Sequence, residues 1–113
     1  NKDFISVDIH QSLKDILKVM KDSDISQLPV LKNGSMVGSV TESKVLEQII
    51  NNPLRNDEMF VGEIMDLPFT EVAMDLPLRE LNKYITKSTP AVTVLDPSGK
   101  RHIVTQYDII QAL

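Results

Sequence analysis

Leu13, Ile16, Leu17 and Met20 fall at i, i+3, i+4 and i+7, which places one apolar stripe along a helix. Before that stripe, Phe4 to Val7 reads as a short strand. After it, Gln27 to Leu31 reads as a second strand, Asn33-Gly34 as a tight turn, and Met36 to Thr41 as the returning strand. A further helix is predicted from Glu42 to Ile50, stopped by Pro53 within the Asn51-Asn52-Pro53 cluster. Leu54 to Glu58 is polar linker, and Val61, Ile64 and Met65 suggest a single helical turn beyond it.

The pattern then starts again. Phe4-Ile5-Ser6-Val7 aligns with Phe69-Thr70-Glu71-Val72, and Leu13, Ile16 and Met20 align with Leu78, Leu81 and Ile85 in the same register. After a one-residue slip near Ile25, Gln27-Leu28-Pro29-Val30-Leu31 meets Ala91-Val92-Thr93-Val94-Leu95. Ser39-Val40-Thr41 meets Ile103-Val104-Thr105, and Val45, Leu46 and Ile49 meet Ile109, Ile110 and Leu113. In the second copy Pro77 suits the first position of a helix, and Pro97-Ser98-Gly99 makes the hairpin turn. The chain is therefore expected to be two copies of a strand–helix–strand–strand–helix unit: residues 1–52, a linker with a short helical turn at 53–65, and residues 66–113. One unit of this size buries too little apolar surface to be stable alone. The expected fold class is α/β (α+β), with the two β-α-β-β-α units related by a pseudo-twofold axis and packed through their small sheets. The apolar positions are then core, and the methionines fill its gaps.

Composition narrows the function. A net charge of −4 argues against a nucleic-acid partner. No apolar run is long enough to span a bilayer, so no membrane partner is expected. Without cysteine there is no disulfide framework, thiolate metal site or cysteine nucleophile, and a reducing cytoplasm fits. His10 and His102 are the sole imidazoles, and no Ser/His/Asp or metal-ligand spacing brings groups together, so catalysis and a bound metal are not expected. The chain starts at Asn1 rather than methionine and stops at Leu113 inside an amphipathic pattern, as a piece of a longer protein would.

The repeated unit, with Gln27-Leu28-Pro29-Val30-Leu31, Met36-Val37-Gly38-Ser39-Val40-Thr41 and Ile103-Val104-Thr105-Gln106-Tyr107-Asp108, resembles the CBS motif. Nearly the whole chain takes part, twice and in order. The resemblance implies a Bateman module, which binds an adenosine-containing ligand (AMP, ADP, ATP or S-adenosylmethionine) between its motifs and regulates an attached enzyme, channel or transporter. The stretch from Ile25 to Phe69, including Val61-Gly62-Glu63-Ile64-Met65, is further similar to the C-terminal regulatory region of the cystathionine β-synthase family. That likeness implies an attached catalytic domain, outside this chain, holding pyridoxal phosphate. This chain would then hold the effector site for S-adenosylmethionine or AMP.

Thr105 and Asp108 are the residues on which the chemistry centres. Thr105 ends a strand and opens a helix, where unpaired N–H groups and its hydroxyl can meet a polar ligand group, and Asp108 lies one turn on. Its carboxylate can accept from ribose hydroxyls, at about 1.5–3 kcal/mol for each charge-assisted hydrogen bond. Thr-x-x-Asp is equally a helix-capping pattern, and the two roles are compatible. By the family's geometry Phe4, Ile5 and Ser6, then Ile25, Ser26, Gln27 and Leu28, complete the cleft, with Ile103 and Tyr107 as walls. These positions carry no Lys or Arg for phosphates, which favours S-adenosylmethionine or AMP over ATP. The symmetry-related cleft would use Thr41, with Lys44 where Asp108 belongs and Glu71 where Ser6 belongs. An ammonium has only donors, so that site reads as degraded, with Lys44 and Glu71 expected to face each other across it; two solvated surface charges are the alternative. His102, at the position of Gly38, is either an exposed strand residue or a contact at the cleft mouth. The rival to a ligand sensor is a structural module that self-associates into a dimer through helical faces, its ligand site vestigial.

Overall fold

Residues 4–55 and 58–112 are described by a computed structural model of the chain. The match of Leu113 to Ile49 and the linker positions Asn56 and Asp57 lie outside them. The described residues divide into two units: residues 5–68, and Phe4 with residues 69–112.

In the first unit, β1 (Val7–Asp8) pairs in parallel with β2 (Gln27–Lys32), which pairs antiparallel with β3 (Ser35–Thr41). Helix α1 (Leu13–Ser23) crosses from β1 to β2, and α2 (Glu42–Asn51) follows β3 directly. The predicted stripe is the buried face of α1: Leu13 and Ile16 are wholly enclosed and Met20 nearly so. Ser12 caps the start, accepting from the Asp15 N–H at 3.2 Å. Asp24 ends the helix in the left-handed region, and the Ile25 N–H reaches back to the Met20 carbonyl at 3.0 Å. Asn33 and Gly34 both take positive φ, as a two-residue hairpin turn between right-twisted strands requires. A bulge between Val30 and Leu31 shifts the β2–β3 register.

Two features of this unit depart from the pattern reading. The first strand is shorter than Phe4 to Val7, because Phe4 groups with the second unit and pairing begins only at Val7. Residues 59–68 also do more than link. Met59 and Val61 are buried in the same core as Leu13 and Val45. The Val61 and Gly62 N–H groups bond to the Gln11 and Ile9 carbonyls at 2.9 and 3.0 Å, anchoring the single helical turn α3 (Val61–Ile64). Beyond α3, Ser39 and Asp66 exchange both backbone hydrogen bonds (3.0 and 2.8 Å), so this segment covers the outer edge of β3. Gly38 permits that approach. A Cβ there would lie 2.4 Å from Met65 Sδ and 2.9 Å from the Asp66 carbonyl oxygen.

The second unit repeats the sheet, with β4 (Thr70–Ala73) parallel to β5 (Ala91–Leu95) and β5 antiparallel to β6 (Arg101–Thr105). Gly99 takes the positive φ of its hairpin. The expected first helix is brief: α4 (Leu78–Leu81) begins after Pro77 and tightens into a 3-10 turn at Asn82–Tyr84. Asn82, Tyr84, Ile85 and Thr86 are poor helix formers, which accounts for the early end. Helix α5 (Gln106–Ala112) follows β6. Val72, Leu81, Val92 and Val94 form this unit's buried cluster. Among the described residues no helix is long and apolar enough to cross a membrane.

Candidate ligand site

Each unit ends its sheet on a threonine that opens a helix, and the two junctions differ in what stands three residues on, Lys44 in the first and Asp108 in the second. At the β6–α5 junction Asp108 Oδ2 accepts from the Thr105 N–H at 2.8 Å and from the Thr105 hydroxyl at 3.0 Å. The Asp108 N–H in turn lies 3.3 Å from Thr105 Oγ1. This is a reciprocal cap, and it holds the carboxylate over the first turn. At the β3–α2 junction the Lys44 N–H makes the same bond to Thr41 Oγ1, at 3.2 Å, but no carboxylate answers it. The capping reading of Thr-x-x-Asp is therefore correct as far as it goes. It leaves Asp108 Oδ1 outside these bonds, and the carboxylate is exposed.

Sequence and structural likenesses agree on what this repeated arrangement is. Residues 1–51 match the family model of the CBS domain. The CBS-pair protein CBSX2 of Arabidopsis thaliana superposes with a TM-score of 0.76, covering 96% of this chain and 84% of its own at 20% identity. The fold is that of a CBS-domain pair. A structure of CBSX2 in complex with AMP is similar too, with a TM-score of 0.73 at 22% identity, over 96% of this chain and 86% of that one. Among curated proteins, this chain is 29% identical to cystathionine β-synthase of Saccharomyces cerevisiae across 99% of its own length and 26% of the relative's. It is 27% identical to the A-adding tRNA nucleotidyltransferase of Aquifex aeolicus, across 92% of its own length and 12% of the relative's. The chain thus spans about a quarter or less of the curated relatives it matches.

Within the second unit, Thr105 and Asp108 are brought together as expected, Ile103 is half-buried on β6, and Tyr107 is 67% exposed on α5. Phe4, half-buried, groups with this unit. In the first unit Ile5 and Ile25 pack partly against the core, Ser6 is half-buried, and Ser26 donates to Gln27 Oε1 at 3.0 Å. Gln27 pairs with Thr41 across β2 and β3. Leu28 is different. Its side chain is wholly enclosed in the core, so it packs the sheet and has no surface to offer a ligand. Ile25 and Ser26 also line an open cavity of about 550 Å³ with Leu17, Met20, Glu42 and Leu46.

The charges expected to face each other are each partnered within their own unit. Lys44 Nζ lies 4.0 Å from Asp66 Oδ1. Glu71 Oε2 accepts from Arg101 Nε at 2.6 Å, with the Thr93 hydroxyl at 3.4 Å. Each of these charges therefore has a partner within its own unit. Asp66 reaches Lys44 through the edge bridge to Ser39, and Arg101 shares a sheet face with Glu71 by strand alternation. Neither partner was among the candidates, although the period of two along Arg101, Ile103 and Thr105 signals the second. It follows that Lys44→Asp would set two carboxylates side by side. A thermal melt of Lys44→Asp is expected to show a lower Tm than Lys44→Asp combined with Asp66→Asn.

His102 is not an exposed strand residue: its side chain is largely covered. It projects on the Val94 face, and its Nε2 lies 2.8 Å from Asp96 Oδ2 in the hairpin turn. Asp96 also accepts from the Ser98 hydroxyl at 2.6 Å and from the Ser98 and Lys100 N–H groups at 2.9 Å. The Ser98 hydroxyl, the His102 ring and these N–H groups hold its carboxyl well below the usual 3.8. A depressed carboxyl stabilises the fold fully above the unfolded value, and that contribution is lost as the pH falls below it. Asp96→Asn should therefore melt below the parent near pH 6, with the gap closing as the pH drops under about 3.8. A gap that widens toward acid would contradict the assignment.

Proposed function

We propose that this CBS pair is a regulatory module that binds one adenosine-containing effector, of the S-adenosylmethionine or AMP class, and controls an attached catalytic domain. The observation that carries the reading is the asymmetry between the two junctions: Thr105 has a carboxylate fixed beside it, while Thr41 has Lys44. Ribose hydroxyls need acceptors, and Asp108 Oδ1 can supply one where Lys44 cannot. Phe4, Ile5, Ser6, Ile25, Ser26 and Gln27 would complete the cleft with Ile103 and Tyr107, and the cleft using Thr41 is degraded. The AMP complex of CBSX2 supports the ligand class. The likeness to yeast cystathionine β-synthase across 99% of the chain supports a parent enzyme of that type, and the tRNA nucleotidyltransferase match keeps an unrelated parent in view.

Calorimetric titration against S-adenosylmethionine, AMP and ATP tests the reading. The expected result is one ligand per chain, with a Tm that rises with ligand concentration, since a ligand that binds only the folded state must stabilise it. Two equivalent sites per chain would overturn the assignment of a single working junction. No binding by any of the three would favour the second reading, a self-associating structural module. That reading has its own support in the apolar residues left exposed on α2 (Leu46, Ile50) and α5 (Tyr107, Ile110). Control of an attached enzyme further requires that the effector favour one arrangement of the module over another, by no more than its difference in affinity for the two.

A further inference from the structure

The first unit has another concavity, away from Thr41 and formed at the opposite end of β3. Its volume is about 450 Å³, within the range of about 300–1,000 Å³ usual for small-ligand sites. Ile9, Val37 and Met65 give it an apolar lining, and Phe60 and Gly62 bring α3 to its edge. Three ionisable side chains, His10, Lys32 and Glu63, complete the wall. None of these residues belongs to the adenosyl site proposed above.

Two of these groups, Glu63 and His10, are held in place by bonds that leave part of each available. Glu63 Oε2 accepts from the Phe60 N–H at 2.7 Å, which fixes the carboxylate, and Oε1 takes no part in the described hydrogen bonds. His10 Nδ1 lies 3.2 Å from Asp8 Oδ1, and the ring stands edge-on to Phe60 with centroids 6.3 Å apart. That leaves Nε2 as the ring's other polar atom. Lys32, at the end of β2, brings an ammonium to the same wall. One fixed carboxylate and one ammonium beside an apolar lining complement a ligand that carries both signs and an apolar body. A dianion would meet Glu63, and a simple cation would meet Lys32.

We infer that this cavity binds a free α-amino acid with an apolar side chain. Its carboxylate would meet Lys32, its ammonium Glu63 Oε1, and its side chain Ile9, Val37 and Met65. Amide NMR titration of this chain with L-phenylalanine tests it, with 3-phenylpropionate, which lacks the ammonium, as the comparison. The expected shifts centre on Ile9, Val37, Gly62 and Met65, and 3-phenylpropionate should bind at least about tenfold more weakly, the equivalent of 1.4 kcal/mol. Glu63→Gln keeps an oxygen for the Phe60 N–H but loses the charge, so it should weaken L-phenylalanine to a similar degree while Tm stays near the parent's. Lys32→Gln should do the same from the other side. Shifts centred elsewhere, no shifts at all, or unchanged binding in Glu63→Gln would overturn the inference.

Discussion

Gly38→Val is expected to lower the Tm by roughly 4–12 °C, the equivalent of about 1–3 kcal/mol of overpacking in a domain of this size. The cost arises because the new Cβ would come within 2.4 Å of Met65 Sδ and 2.9 Å of the Asp66 carbonyl oxygen. Met65 can swing aside, being an unbranched side chain. Asp66 has less freedom, since it exchanges both backbone hydrogen bonds with Ser39. Relief must come from detaching the segment that covers β3, which would also separate Asp66 from Lys44. Gly34→Ala provides the contrast. No atom lies within 4 Å of its Cβ position, so its cost is limited to the strain of a positive φ. Thermal melts of both variants check this, and equal losses would show that packing at Gly38 is not the cause.

Asp108→Ala is expected to weaken adenosyl-ligand binding by roughly ten- to a hundredfold, through loss of charge-assisted hydrogen bonds. It should also cost about 1 kcal/mol of folding stability, because Oδ2 caps the Thr105 N–H and hydroxyl. Asp108→Asn separates the two effects. An amide oxygen can still accept the Thr105 N–H, so the melt should stay near the parent's, while the lost charge still weakens the ligand. Titration and melting of the two variants decide between roles. If Asp108→Asn binds like the parent and Asp108→Ala is merely less stable, the carboxylate is a cap and nothing more.

The repeat is what made the fold legible. Two strand pairs and the α1 stripe follow from periods of 2 and 3.6, and Asn33-Gly34 names its own turn type. Val61, Ile64 and Met65 likewise signal the single turn α3, but the same patterns are silent about Met59, a lone buried residue just past the polar linker. They also over-extended the helix at Leu78, where apolar spacing continues to Ile85 but residues of low helix propensity intervene. At the candidate site, Thr105 and Asp108 were legible because three-residue spacing at a strand–helix junction is a local constraint. Lys44 and Glu71 stand out in the sequence as charges that break the repeat, but their partners within each unit do not. Pairing depends on Asp66 and Arg101, which lie 22 and 30 positions away in sequence, and no local pattern reaches that far.

The brevity of α4 has a consequence for the energetics of sensing. The first unit's buried cluster includes Leu13, Ile16, Met20, Leu28 and Val61, whereas the second rests on Val72, Leu81, Val92 and Val94, with the single turn α4 where the first unit has the three-turn α1. Backbone amides of β4 to β6 should then exchange with deuterium sooner than those of β2 and β3, because local opening costs least where the fewest apolar contacts are broken. Thr105 and Asp108 sit in this less protected half. An effector held there would slow exchange across strands it never touches, and part of its intrinsic affinity would be consumed in quieting those strands. On the proposed function, an attached domain would then read a loss of motion as much as a change of shape.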